Sequence, residues 1–364
     1  MVKPDWKNSI LNVSATLSQF LGNSNDIPKI DILRTVLDKG YDTVVYICFD
    51  GLGMYPLQQN LPQDSFLCRH VASTITSVFP STTTNATTTL KSATYPSQHG
   101  LFGWSLYFDE LKRCIDIYWS QDSYTEQPIS SSVLDDYMKC CFYFDSIKSD
   151  YTVTTIFPPY ITRQGNNYNY QSMDEMFSLL ESVTRQKGKN FIYCYCGQPD
   201  STMHEFGVTS KEAQEKIIYI NDKVEELAKS MKNGVVIITP DHGQTDITDH
   251  IKLYEDEELK QSLRTPFYLE ARAVAFRVKD EDAFLKAVSK YQKDATLYKV
   301  SDMVKDNFFG PSSERISMLG DYILVMNDNE KQFVFSQRHM LFKGHHTGLS
   351  EKEMLLPLVI VECK

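Results

Sequence analysis

VVYICFDGLG, residues 44–53, is a short run of β-branched, aromatic and other apolar residues that stops on an acidic residue and a glycine. A continuous apolar run of this length reads as a strand covered on both faces, and Asp50-Gly51 as the turn that ends it. The same grammar recurs in FIYCYCGQPDSTMH at 191–204 and VVIITPDHG at 235–243. Parallel strands of an open α/β sheet leave their carboxyl ends on one edge, where side chains from distant segments meet. Asp50, Asp200 with His204, and Asp241 with His242 are therefore expected as neighbours, joined by His346 of the late GHHTG segment.

Outward from these three strands, the pattern alternates. Trp6, Ile10, Val13, Leu17 and Phe20 recur at helical spacing, and PKIDILRTVLDKG carries Pro28 near its start and Gly40 past its end. An extended stretch near 68–78, a helix from about Thr83, a strand at 151–156 and helices at 172–187 and 210–232 complete the βα alternation. The expected fold class is α/β, a sandwich with a central, mostly parallel sheet under helices on both faces. After about residue 255 the pattern changes: EARAVAFRV and YILVMN read as edge-type strands around the helix DEDAFLKAVSKYQ. The division predicted is a catalytic part at 1–254, a small α+β insertion at 255–337 that caps the crevice, and a return at 338–364 carrying His346.

Composition narrows the function. With 42% hydrophobic and 23% charged residues the chain is an ordinary globular one. A net charge of −10 without a dense Lys/Arg stripe argues against a nucleic-acid partner. Bound divalent cations invert the local field of an acidic pocket, so a small anionic substrate is compatible with that charge. The amino-terminal residues lack a basic segment followed by an apolar core, and no apolar stretch nears the roughly 18 residues of a spanning helix. Cysteines such as Cys48, Cys194 and Cys196 fall inside strand-like runs, as small buried hydrophobes. A cytoplasmic protein with no membrane association is expected; nothing in the sequence fixes its oligomeric state.

Taken singly, each candidate ligand has an ordinary reading: Asp50 starts a turn, His346 sits in a loop, and a D-x-x-x-H pair recurs by chance. Together, three carboxylates and three imidazoles make six mixed O and N ligands, enough for two ions that keep open positions. Paired ions at such a site clamp the attacking and leaving oxygens of a displacement at phosphorus. A nucleophile is then needed, and the Ser/Thr-rich run from 73 to 94 supplies it: TNATTTLKSA forms a helix whose amino end places Thr83 beside free amides.

The order of these motifs resembles the alkaline phosphatase superfamily, in its type I phosphodiesterase and nucleotide pyrophosphatase group. It comprises a strand-end Asp-Gly, a Ser/Thr region closing on YPSQHG, PDSTMH, DHG, and a late histidine followed by HTGLSEKEMLLP at 346–357. The resemblance implies a hydrolase of phosphoric esters with Thr83 as nucleophile through a phosphothreonine intermediate. It further implies two divalent metal ions, zinc with manganese or iron as alternatives: one on Asp50, Thr83, Asp241 and His242, the other on Asp200, His204 and His346. Thr83 stands sixteen positions before His99, the spacing usual in that family. Thr82 competes, because Asn85 then falls where the group places a substrate-binding asparagine; His345 competes with His346.

The substrate implied is a small phosphodiester or nucleotide-like molecule. Nucleotide-cleaving members carry an aromatic residue after the catalytic threonine, whereas this chain has Thr84. Trp104, Tyr107, Phe157, Tyr160 and Arg163 are candidates to replace it, with Trp104 and Tyr160 foremost. A phosphomonoesterase or phosphonate hydrolase on the same scaffold, and a non-catalytic binding protein, are the competing readings. A sulfatase is disfavoured because no C-x-P-x-R signal occupies the nucleophile region.

Overall fold

The computed structural model describes residues 1–161 and 165–363. Its centre is a seven-stranded sheet, in the spatial order Val71–Thr76, Leu355–Cys363, Gly234–Ile238, Thr43–Phe49, Asn190–Cys196, Thr152–Phe157, Asn167–Asn169. Thr43–Phe49 is the hub, parallel to both neighbours, with Thr43 opposite Asn190 on one side and Gly234 on the other. All seven of its residues are buried. Its alternation divides the core: Val45, Ile47 and Phe49 join one apolar cluster, Val44, Tyr46 and Cys48 the other. Each such side chain stabilises the fold by about 1.5–3 kcal/mol, which offsets the cost of a strand that ends on a buried carboxylate.

Helices cover both faces. Met173–Thr184 and Lys211–Ser230 contribute Met176, Leu180, Ile217, Ile220 and Val224 to one cluster. Ile10–Phe20 and Asp31–Leu37 contribute Val13, Leu17, Leu33 and Val36 to the other. The chain's last described strand, Leu355–Cys363, enters antiparallel between Gly234–Ile238 and Val71–Thr76. The sheet is thus mostly parallel with two antiparallel pairings at one side, the fold class expected. Cys48, Cys194 and Cys196 are buried on central strands, and all eight cysteines are free thiols. Among the described residues no helix is long and apolar enough to cross a membrane.

A second seven-stranded sheet, antiparallel throughout, runs Ala295–Lys299, Tyr322–Met326, Ala273–Phe276, Tyr268–Glu270, Ser105–Phe108, Arg113–Asp116, Gln121–Asp122. Four of its strands lie between residues 255 and 337. The other three come from 105–122, joined through the pairing of Leu269 with Ser105. The sequence marks no strands there, because segments of two to four residues are too short for period-two alternation to stand out.

Candidate active site

The register of the hub strand decides what meets at its end. Asp50 follows Phe49, and its N–H donates to the Cys196 carbonyl at 2.9 Å; the Asp50 carbonyl accepts the Asp200 N–H at 3.1 Å. Gly51 has φ +73°, and a β-carbon there would lie 3.0 Å from Asp200 Cβ. Glycine is what lets the two acidic turns approach. At Gly243 a β-carbon would fall 2.0 Å from the Lys352 carbonyl oxygen, so the turn after His242 packs against the return segment only without a side chain.

Asp50, Asp241 and His242 offer ligand atoms within 4.8 Å of one another, and so do Asp200, His242 and His346. In the first group His242 Nε2 lies 3.2 Å from Asp50 Oδ1 and 3.4 Å from Asp241 Oδ2. Thr83 Oγ1 lies 3.2 Å from the same nitrogen and 3.4 Å from Asp50 Oδ2. Ligands at 2.0–2.2 Å from a tetrahedral ion stand about 3.3–3.6 Å apart, so these separations match a site built around a cation. In the second group Asp200 Oδ1 lies 3.9 Å from His346 Nε2; His204, which belongs to neither group, stands beside it with Nε2 3.3 Å from Asp200 Oδ2. His242 and His346 stack with ring centroids 3.7 Å apart, so His242 lies between the two groups.

Each imidazole is oriented through its other nitrogen. Nδ1 of His204 meets the Gly344 carbonyl at 2.7 Å, that of His242 the Gly243 carbonyl at 3.0 Å, and that of His346 the Ser81 carbonyl at 2.9 Å. A carbonyl only accepts, so Nδ1 carries a proton and Nε2 is the nitrogen that faces carboxylate. Asp50 Oδ1, Asp200 Oδ1 and Asp241 Oδ2 are buried without a hydrogen-bond partner. Imidazole Nε2 atoms beside orphaned carboxylate oxygens, in a pocket where Asp241 and His242 are fully buried, could hold a divalent cation.

The protonation equilibria show the same strain. Burial, and next to it the Asp50 carboxylate, push the Asp241 carboxyl well above its ordinary range. Burial also opposes charge on His242, but Asp241 and Asp50 outweigh it and raise the imidazole to about 10. Burial and the neighbouring His242 drive His346 well below the usual range. In this pocket, positive charge takes the place the carboxylates require.

The nucleophile candidates separate. Thr83 opens the helix Thr83–Ser92 and faces Asp50 and His242. Thr82, the residue before it, turns its hydroxyl away to Glu270 Oε1 at 2.5 Å. His346 faces Asp200, while the buried His345 uses its Nδ1 to accept the His346 N–H at 2.8 Å. Asn85 is fully buried, its amide nitrogen donating to the Pro80 carbonyl at 2.8 Å and its Oδ1 left without a partner. Trp104 meets Trp119 edge-on at 5.0 Å and Tyr118 at 6.1 Å, and Tyr118 OH lies 3.0 Å from Thr87 Oγ1, one turn beyond Thr83. Tyr160 is 73% exposed, and a β-carbon on Gly197 would lie 3.4 Å from its hydroxyl. Tyr107 is buried against Arg277, and Phe157 belongs to a core cluster, so both serve packing. Arg163 lies outside the described residues.

Two residues escaped the sequence. Tyr195 donates its hydroxyl to Asp50 Oδ2 at 2.5 Å, from a strand where it reads as one more buried aromatic. Glu270, whose carboxyl burial raises to about 7, sits in a segment that reads as part of the insertion. Neither position carries a motif; only the tertiary contact marks it.

A sequence model of type I phosphodiesterase / nucleotide pyrophosphatase matches residues 44–332, most of the chain. The chain belongs to this family. As a member it is classed with the metal-dependent hydrolases of phosphoric ester bonds, and its Asp/His groups could hold metal. A comparison of this phosphodiesterase-family chain with curated proteins returned no match. Human ectonucleotide pyrophosphatase/phosphodiesterase 5 shares its fold, with 17% identity, 87% of each chain covered and a TM-score of 0.64. An inactive threonine-to-alanine form of the murine protein, in complex with AMP, gives 16% identity, 86% and 87% coverage and a TM-score of 0.62. Phosphonoacetate hydrolase from Sinorhizobium meliloti, in complex with phosphonoformate, gives 14% identity, 86% and 89% coverage and a TM-score of 0.60.

Proposed function

We propose that this protein is a phosphodiesterase or nucleotide pyrophosphatase-type hydrolase in which Thr83 is the nucleophile. Asp50, Thr83, Asp241 and His242 would hold one zinc ion, and Asp200, His204 and His346 a second. The observation that carries the reading is the meeting of Thr83 Oγ1 with His242 Nε2 and Asp50, beside carboxylate oxygens that have no other partner. Ions bound there supply Lewis-acid stabilisation of phosphoryl oxygens and lower the pKa of a bound hydroxyl.

The residues then do the following. Thr83 Oγ attacks phosphorus, its proton passing to solvent; the Oγ–P bond forms as the bond from phosphorus to the leaving oxygen breaks, and that oxygen takes a proton from water. A water molecule attacks the phosphothreonine from the opposite side and returns the Thr83 hydroxyl. The amides of Thr83, Thr84 and Asn85 precede the first helical bond, from Ala86 N–H to the Thr82 carbonyl at 2.8 Å, and are placed to receive a phosphoryl oxygen. Trp104, Tyr118, Trp119 and Tyr160 offer aromatic faces to an organic leaving group in place of the aromatic residue that Thr84 replaces. A nucleotide-like diester suits such faces, and the AMP held by the murine relative supports that class.

The test is hydrolysis of bis(p-nitrophenyl) phosphate, p-nitrophenyl phosphate and phosphonoacetate by the zinc-loaded protein, before and after chelation, and by Thr83→Ala. Diester-selective turnover that chelation abolishes and Thr83→Ala lowers by about 10³-fold or more is expected. Preference for the monoester or for phosphonoacetate moves the protein to the competing hydrolase readings. Metal binding without turnover of any of the three leaves a binding protein.

A further inference from the structure

Thr82 occupies the N-cap of the helix Thr83–Ser92, with extended backbone angles of φ −135° and ψ 151°. A threonine there ordinarily turns its hydroxyl onto the helix's own second or third amide. Here no such capping bond is made. The hydroxyl donates instead to Glu270 Oε1, which also accepts the Trp104 N–H at 2.7 Å. Glu270 ends a strand of the second sheet, Tyr268–Glu270, and is 6% exposed.

Stability alone does not call for a carboxylate at this place. Arg272, two residues on, is a fully buried ion whose charge is met by Glu353 at 2.7 Å and 3.2 Å, with further bonds to the carbonyls of Asn327, Asn329 and Lys331. Among the described residues no lysine or arginine pairs with Glu270, so its burial is costly. What that cost secures is a partner for the Trp104 N–H and the direction of one hydroxyl. Thr84 Oγ1 and Asn85 Oδ1 are buried beside the same helix end without partners, so the first turn is short of bonds.

We propose that Glu270 is a positioning residue that draws the Thr82 hydroxyl off its own helix and so keeps the Thr84 and Asn85 amides open to phosphoryl oxygens. The inference rests on the Thr83 reading for its catalytic meaning but not for its test, which is anion binding. Removing the acceptor frees the hydroxyl to cap the helix and to compete with the ligand for those amides. Removing the hydroxyl as well ends the competition.

The experiment is titration of inorganic phosphate into zinc-loaded wild type, Glu270→Met, Glu270→Gln and Glu270→Met/Thr82→Val by calorimetry. Glu270→Met is expected to weaken phosphate binding on the order of 10- to 100-fold, the effect of losing one or two donors to an anion. Glu270→Gln keeps an acceptor oxygen and is expected to retain most of the affinity; the double variant is expected to recover much of what Glu270→Met loses. Unchanged affinity in Glu270→Met, or a double variant weaker than the single one, overturns the proposal and marks Glu270 as packing alone. Where Glu270→Met folds poorly, residue-resolved hydrogen exchange on wild type decides. Thr84 and Asn85 amides that exchange fast and are protected by added phosphate support the idea; amides already protected without phosphate defeat it. Absence of diesterase turnover with these binding results intact removes the Thr83 reading and leaves this one standing.

Discussion

The two halves of the candidate site are built differently. Asp50, Asp241 and His242 hang directly from adjacent central strands and are at most 2% exposed, with carboxylate-to-imidazole separations of 3.2 and 3.4 Å. Asp200 and His204 ride on the seven-residue helix Asp200–Phe206, and His346 arrives on the return segment, with separations of 3.3 and 3.9 Å. Strand ends locked by ladder bonds on both sides cannot shift singly, whereas a short helix and a loop adjust independently. The first half is preorganised, and the second has more freedom to adjust to an ion bound there.

The largest expected effect contrasts the halves by substitution. Asp241→Asn removes the charge of a fully buried ligand from the rigid half and is expected to lower the metal content to one ion or fewer, with turnover down about 10³-fold or more. His204→Asn is expected to lose the second ion while retaining the first. Metal analysis of the two purified variants checks this; equal losses in both erase the distinction. Smaller is Tyr195→Phe, which deletes the hydroxyl held by Asp50 and is expected to weaken binding at the first half by about 10–100-fold, read by competition with a zinc chelator. An equal loss at the second half would show that Tyr195 acts on the site as a whole.

The smallest effect concerns the helix that carries Thr83, which is anchored at its far end. His99 is buried, with Nε2 on Thr89 Oγ1 at 3.0 Å and Nδ1 accepting the Leu101 N–H at 3.1 Å. Burial, then the charges of Arg315 and Lys91, lower its pKa to about 3. The unfolded chain binds that proton near pH 6.5 and the folded chain does not, so between these values folding weakens as pH falls. The single-group slope is about 1.4 kcal/mol per pH unit, and none of it operates above pH 6.5. Chemical denaturation from pH 7 to 5 should show the decline, and His99→Gln should flatten it; the same slope in both would assign it to other groups.

Much of the architecture could be read from three strands. VVYICFD, FIYCYC and VVIITPDH announce buried parallel strands because both faces are apolar and each stops at a polar turn. What eluded the sequence has one cause: it depends on partners far away in the chain. The strands of 105–122 pair with 268–270, and the sequence puts Leu355–Cys363 in the return of the catalytic part without showing which strands it joins. Asp50, Asp241 and His242 follow from their position after strands. Tyr195 and Glu270 do not, since a buried tyrosine and an acidic residue before a strand have many ordinary uses. The spacing to His99 already favours Thr83 over Thr82, and the structure adds that the Thr83 hydroxyl lies near His242 while that of Thr82 turns to Glu270.

Leu355–Cys363 is wedged between Gly234–Ile238 and Val71–Thr76, and the same stretch of chain delivers His346. Until those residues have left the ribosome, the nascent polypeptide has a split sheet and an incomplete ligand set. A chain truncated ahead of residue 344 would lack both His346 and the strand that joins Gly234–Ile238 to Val71–Thr76, so the damage would fall on the fold as well as on the candidate site.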